Sequence, residues 1–274
     1  IIDDIGYDRA LAEKFLNLHA ALTLSILPHS PHRQAIARLA HSQGAEIMLH
    51  LPMEPMEYPD INPGHGALLT SMSPDELLQA LEENLQAVPH FIGVNNHMGS
   101  KLTARSEQVY QVFSVLKRRG LFFVDSRTSE ASVCQPSARL LQLPFAQRDV
   151  FLDHVQEPAF FRKQIRELVR LARHKGEALG IAHPHPATYT LLKEALPELR
   201  LIVSTLVRSV RSMGHVLVLL ALILYVYAVL GVNLFRAVDP AHWASLPRAG
   251  LTLFEMLTLE GWVEVQRASF AATP

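Results

Sequence analysis

Phe91-Ile92-Gly93-Val94-Asn95-Asn96-His97-Met98-Gly99-Ser100 joins a short apolar run to a cluster of polar side chains. An apolar run of this length, bounded by turn residues, fits a buried parallel strand. The polar residues then lie where the strand ends. Further apolar runs of strand length are Ala21–Leu27, Ile47–Leu51, Leu121–Val124 and Leu179–Ala182. His50 closes the run Ile47–Leu49 ahead of Pro52-Met53-Glu54-Pro55, and His183-Pro184-His185-Pro186 follows Ala182. Helical stretches separate these runs. Ser73–Val88 opens Ser73-Pro74-Asp75-Glu76, with an N-cap, a first-turn proline and acidic residues at the positive helix end. Arg105–Arg119 and Pro158–Lys175 end in basic residues followed by Gly120 or Gly176. Strand alternating with helix predicts an α/β fold over residues 1–198, a parallel sheet or a barrel with helices outside.

The whole chain has 274 residues, room for one sizeable domain or two small ones. Lys and Arg number 25 against 26 Asp and Glu, a balance that argues against a nucleic-acid binder. A single cysteine excludes an intrachain disulfide framework and a Cys-only zinc site. The 14 histidines make His/carboxylate ligation the well-supplied route to a metal.

Apolar residues are concentrated towards the C-terminus. Val216 to Phe235 contains no charged residue. A helix of that length, at ~1.5 Å rise per residue, spans the ~30 Å hydrocarbon core of a bilayer. Leu246–Trp262 is shorter and more polar, which predicts a re-entrant or interfacial helix. Arg200, Arg208 and Arg211 precede the span, while Arg236 follows it, opposed by Asp239. This asymmetry predicts that the N-terminal side of the span is cytoplasmic, with no signal peptide ahead of it.

The chemistry begins at Ile1-Ile2-Asp3-Asp4-Ile5-Gly6. Neighbouring side chains in a strand point to opposite faces, so both carboxylates serve one site only where the backbone turns. In parallel α/β folds, sites form at that carboxyl end. Four strand ends then present Asp/His clusters in one register. Asp with two His suits Zn²⁺ or another divalent ion, leaving positions open for water and substrate.

Asp3-Asp4, the Leu49–Met53 run, Gly93–Ser100 and His183-Pro184-His185-Pro186-Ala187-Thr188 together resemble the divergent polysaccharide deacetylases, from Ile1 to about Glu198. The resemblance implies a deformed (β/α) barrel, an exported cell-envelope setting in bacteria, and an N-acetylated polysaccharide or amino-sugar substrate. It also implies a divalent metal, Zn foremost, with Asp3 as base and Asp4 as ligand beside His50. The family's wider pattern places two histidines four apart, whereas here Glu54 stands four after His50. The third ligand is then Glu54, His97 or His185, with His97 taken first. His183 or His185 would be the general acid, and Asn95 and Asn96 would meet sugar hydroxyls. Asp125 and Arg127 are rim candidates, and Asp153 is a candidate partner for a ligating histidine. The family's usual arginine motif is replaced by Asn95–Ser100, which leaves an inactive sugar-binding descendant as the alternative. The first strand, opening at Ile1, implies an N-terminal portion ahead of it.

From Leu199 the chain resembles the pore region of bacterial voltage-gated sodium channels. Leu199–Met213 is similar to the linker into the fifth transmembrane helix, Val216–Phe235 to that helix and Ala249–Leu257 to the pore helix. Thr258-Leu259-Glu260-Gly261-Trp262 is similar to the selectivity filter, with Glu260 as its carboxylate and Trp262 as a packing anchor. A carboxylate at membrane depth is expensive unless it faces water, as in a cation-selecting ring. The resemblance implies a homotetramer with cations at Glu260, although neither a sixth helix nor a voltage sensor is seen. The two resemblances conflict in topology, because the deacetylase part belongs outside the cytoplasm and the channel linker inside. The expectation is therefore a composite or misjoined chain: a deacetylase-like domain at 1–198 and a pore-like fragment at 199–274. The rival is an ion-transport protein whose soluble domain binds glycan or regulates.

Overall fold

The computed structural model describes residues 1–18, 22–257 and 265, and for residues 197–217 the helical backbone alone. The chain divides into two compact units, Ile1–Leu199 and Arg200–Pro274.

The first unit alternates strand and helix. It opens with β1 (Ile2–Ile5), α1 (Arg9–Leu16), β2 (Thr23–Ile26), α2 (Arg33–Ser42), β3 (Glu46–Met53) and α3 (Pro74–Ala87). Next come β4 (Gly93–Met98), α4 (Ser106–Arg118), β5 (Phe122–Asp125), α5 (Cys134–Leu141), β6 (Phe145–Gln147) and β7 (Val150–Phe151). The unit continues with α6 (Pro158–Lys175) and β8 (Gly180–Ile181), then enters the long α7 (Pro186–Phe235).

Strands β1 to β6 form one parallel sheet in sequence order, and β7 pairs with β8. Ile2 bridges Ala182, and Asp3 N donates to Ala182 O at 2.8 Å, so β8 returns to β1. Among the described residues no ladder joins β6 to β7. The sheet therefore curls into a barrel interrupted along one seam, the deformed (β/α) barrel expected from the sequence. Leu24, Ile26, Ile47, Leu49, Leu51 and Val94 are at most 1% exposed, as strands packed on both faces require. The helix signals are realised too. Ser73 Oγ accepts from Glu76 N while the Glu76 carboxylate accepts from Ser73 N, and Gly176 ends α6 at φ +87°.

The strands run further than the apolar runs suggest. β3 continues through His50 to Met53, and β4 through His97 to Met98. Their register pairs His50 with Asn95 and Pro52 with His97, so the polar clusters lie inside the last turns of the sheet rather than beyond it.

In the second unit, Val218–Phe235 is an 18-residue stretch of mean hydropathy 2.4, long and apolar enough to cross a membrane. Val218, Leu222, Tyr225 and Leu234 are exposed on it. α8 (Pro240–Trp243) and α9 (Leu246–Leu257) follow. Trp243 packs on Phe235 at 5.7 Å between ring centroids, and its ring fills the space that a Cβ on Gly231 would need. The expected helix within Leu246–Trp262 is present as α9. Thr258, Leu259, Glu260, Gly261 and Trp262 lie outside the described residues.

Candidate metal centre

β1 does not keep strict alternation. Its register with β2 slips between Ile2 and Ile5, and Asp4 adopts φ +54°. That turn brings the Asp4 side chain to the mouth where Asp3 already points, which an extended strand forbids. From there Asp4 Oδ1 lies 2.8 Å from His97 Nδ1 and 3.1 Å from His50 Nε2. The two imidazole nitrogens are 3.2 Å apart. Asp4 Oδ1 is shut off from solvent, yet it accepts no hydrogen bond of good geometry. A buried carboxylate oxygen without such a bond, crowded by two imidazole nitrogens, is the donor set a divalent ion takes.

The electrostatics agree. Burial works against a charge on His50, but Asp3 and Asp4 outweigh it and push the imidazole pKa up to about 9. Burial likewise opposes the Asp4 carboxylate, and His50 and His97 hold its pKa well below the ordinary value. Two carboxylates thus call for positive charge at one point. A proton on His50 supplies it in the metal-free protein, and a divalent ion must compete with that proton.

Asn95 orients the histidine. Its Oδ1 lies 3.0 Å from His50 Nδ1 and also accepts from Ser25 Oγ. Its amide nitrogen donates to Asp3 Oδ1 at 2.9 Å and Ser126 Oγ at 3.3 Å. The network therefore holds a proton on Nδ1, so the proton a metal ion displaces is the one on Nε2, which then ligates. Across the mouth, Asp153 Oδ1 is 2.9 Å from His183 Nδ1, and Asp153 Oδ2 accepts from His183 N and Thr188 Oγ1. Burial pushes the His183 pKa down, but Asp153, with Asp4 and Asp3, raises it on balance.

Residues 1–209 match the family model described as divergent polysaccharide deacetylase. The chain belongs to the divergent polysaccharide deacetylase family. It is 35% identical over 194 residues to the Escherichia coli (strain K12) protein named uncharacterized protein YibQ, covering 71% of this chain and 60% of that one. A Haemophilus influenzae protein is 32% identical over 199 residues, covering 73% and 70%. The crystal structure of an uncharacterized protein from Agrobacterium tumefaciens C58 superposes with a TM-score of 0.70 at 25% identity, over 72% of this chain and 81% of that one. Residues 190–273 match the ion transport protein model, overlapping the deacetylase match from 190 to 209. The human cation channel sperm-associated protein 3 is 25% identical over 173 residues, covering 58% of this chain and 40% of that one. The apolar helix and this second match point to membrane association.

Within the deacetylase unit, several sequence expectations need revision. Asn95 and Asn96 are both 0% exposed, because β4 carries them into the sheet. Asn96 accepts from Ser126 N and donates to Met98 O, so neither amide faces the mouth to meet a sugar hydroxyl. Glu54 is 3% exposed and is held by Lys101 Nζ at 2.6 Å and by Thr70 N, away from the three donors. Of the three residues considered for third ligand, His97 is the one beside Asp4 and His50. Asp153 partners His183, which is not one of the three donors. Asp125 accepts from Arg127 N and Ser132 Oγ, tying down the chain after β5 rather than forming a rim.

Ser25 and Ser126, which complete the Asn95 network, and Arg148 join the site without belonging to any of the clusters that stand out in the sequence. The Arg148 guanidinium lies 3.8 Å over the Phe151 ring, whose other neighbour is the His183 ring at 5.9 Å. Parity along β4 was the available signal, since Asn95 and His97 are two apart and must share a face.

Proposed function

We propose that the first unit is a metal-dependent hydrolase that removes acetyl groups from an N-acetylated polysaccharide, with Asp4, His50 and His97 holding Zn²⁺. The observation that carries this reading is the convergence of Asp4 Oδ1, His50 Nε2 and His97 Nδ1 within 3.2 Å of one another. A divalent ion bound there supplies Lewis acidity and lowers the pKa of water towards neutrality.

The remaining work falls to side chains. Asp3 is 2% exposed; Asn95 anchors its Oδ1, and its Oδ2 lies 3.7 Å from His50 Nε2. It is therefore placed to take a proton from the attacking water. His183 keeps its proton to higher pH through Asp153, as a general acid for the departing amine requires. His185 has no carboxylate partner among the described residues and is the weaker candidate for that step. Substrate contacts pass from Asn95 and Asn96 to the exposed residues of the loops around the mouth.

The test is acetate release from N-acetylglucosamine oligomers by the Zn-loaded full chain. Asp3→Asn should abolish turnover and keep the metal, whereas Asp4→Asn should lose both. Metal binding without acetate release from any acetylated glycan would favour a glycan-binding descendant. For the second unit we propose, on the ion-transport match alone, a cation path at Glu260 in a homotetramer. Planar-bilayer recordings that give no cation current from the full chain would leave that match as ancestry.

A further inference from the structure

α6 concentrates positive charge in a unit that is otherwise acidic. Between Pro158 and Lys175 stand Arg162, Lys163, Arg166, Arg170, Arg173 and Lys175, against the single acid Glu167. All six are exposed. Lys163, Arg166, Arg170 and Arg173 follow one another at spacings of three, four and three, so they form one stripe along the helix. Phe161 and Ile165 are buried on the opposite side, which makes the stripe the outermost face of α6. Arg162, Arg170 and Lys175 pair with Glu194, Glu167 and Asp149. Among the described residues, Lys163, Arg166 and Arg173 make no ion pair. Beside the stripe, a cleft of about 430 Å³ is lined by Arg162 and Arg166 with Ile165, Leu191 and Ala195, and by Glu194, the partner of Arg162, so Arg166 is the cation there without an ion pair among the described residues.

We propose that this face of α6 docks on the anionic headgroups of a bilayer. Charge complementarity selects a polyanionic surface, and the apolar stretch of the same chain selects which one. Val218–Phe235 begins 43 positions after Lys175, so the chain that carries the stripe also carries a segment long and apolar enough to enter a bilayer. Each basic side chain near an anionic leaflet strengthens association by about fivefold, and salt screens the effect. The proposal rests on Val218–Phe235 being a membrane span.

The test uses the full chain reconstituted into vesicles of phosphatidylcholine, alone or containing phosphatidylglycerol, with Lys163 acetylation followed by mass spectrometry. Lys163 should react about tenfold more slowly on the anionic vesicles at low salt and recover at high salt, while Lys14 on α1 serves as the unaffected control. Arg166→Gln combined with Arg173→Gln should remove most of the protection without unfolding the chain, both residues being exposed. Equal Lys163 reactivity on the two vesicle types would overturn the proposal. So would protection by soluble polygalacturonate but not by phosphatidylglycerol, which would make the partner an acidic glycan. Failure of the chain to float with neutral vesicles would instead sink the span reading, and the proposal with it.

Discussion

Replacing Asn95 by Ala removes the acceptor for His50 Nδ1 and the donor for Asp3 in one step. Each buried group left without a partner costs about 1–3 kcal/mol, and loss of a residue that orients a ligand typically weakens metal binding about 10–100-fold. Denaturant melts and Zn titrations of Asn95→Ala should show both effects, and unchanged Zn affinity would contradict the role given to Asn95. Asp153→Asn acts on the acid instead. With its main support gone, the His183 pKa falls, so the alkaline limb of the acetate-release profile should move to lower pH. An NMR titration of His183 checks the shift without relying on turnover. Asp3, Asp4, His50, His97 and His183 were legible as Asp/His clusters at strand ends. The assignment of Asn95 was not, because it depends on where β4 stops. An amide beyond the strand faces substrate, whereas one paired in register with His50 faces the neighbouring sheet residues.

At the scale of elements, Glu54 fastens the chain after β3. Lys101 N and Leu102 N donate to its carbonyl, while Lys101 Nζ and Thr70 N hold its carboxylate. Glu54→Ala should destabilise the unit by about 2 kcal/mol, the cost of removing a hydrogen-bonded charge, and should leave Zn binding intact. Loss of the metal in that variant would restore Glu54 as a ligand. Burial alone would raise the Glu54 pKa, but Lys101 and Thr70 bring it below the ordinary glutamate value. The stability from this group is therefore fully present above that ordinary value and is lost as pH falls through the lower folded value. Spacing could not separate ligand from ion pair here, since the partner Lys101 lies 47 positions away. Longer elements declared themselves: α3 by its N-cap serine, first-turn proline and acidic first turn, α6 by its C-terminal glycine, and β3 and β4 by their apolar runs. β6 and β7, with three and two residues, are too short to carry a period.

Along the whole chain a deacetylase family match is followed by an ion-transport match, the two overlapping at residues 190–209. We propose that the junction is composite, because an exported hydrolase and an inward-facing channel linker demand opposite sides of the membrane. A single uninterrupted reading frame across residues 196–201 in a native genome would contradict this. Reporter fusions ahead of Val218 decide the side. A cytoplasmic location agrees with the arginine asymmetry around the span, and an exported one agrees with a polysaccharide substrate.

The hydrolytic activity proposed for the first unit depends on a metal at Asp4, His50 and His97. The most direct test is the metal content of the purified full chain after reconstitution with Zn²⁺, with Asp4→Asn, His50→Ala and His97→Ala alongside. Close to one ion per wild-type chain is expected, with a loss in all three variants and the fold preserved by circular dichroism. A wild-type chain that stays free of metal, or a His97→Ala variant that binds as well as wild type, would contradict it.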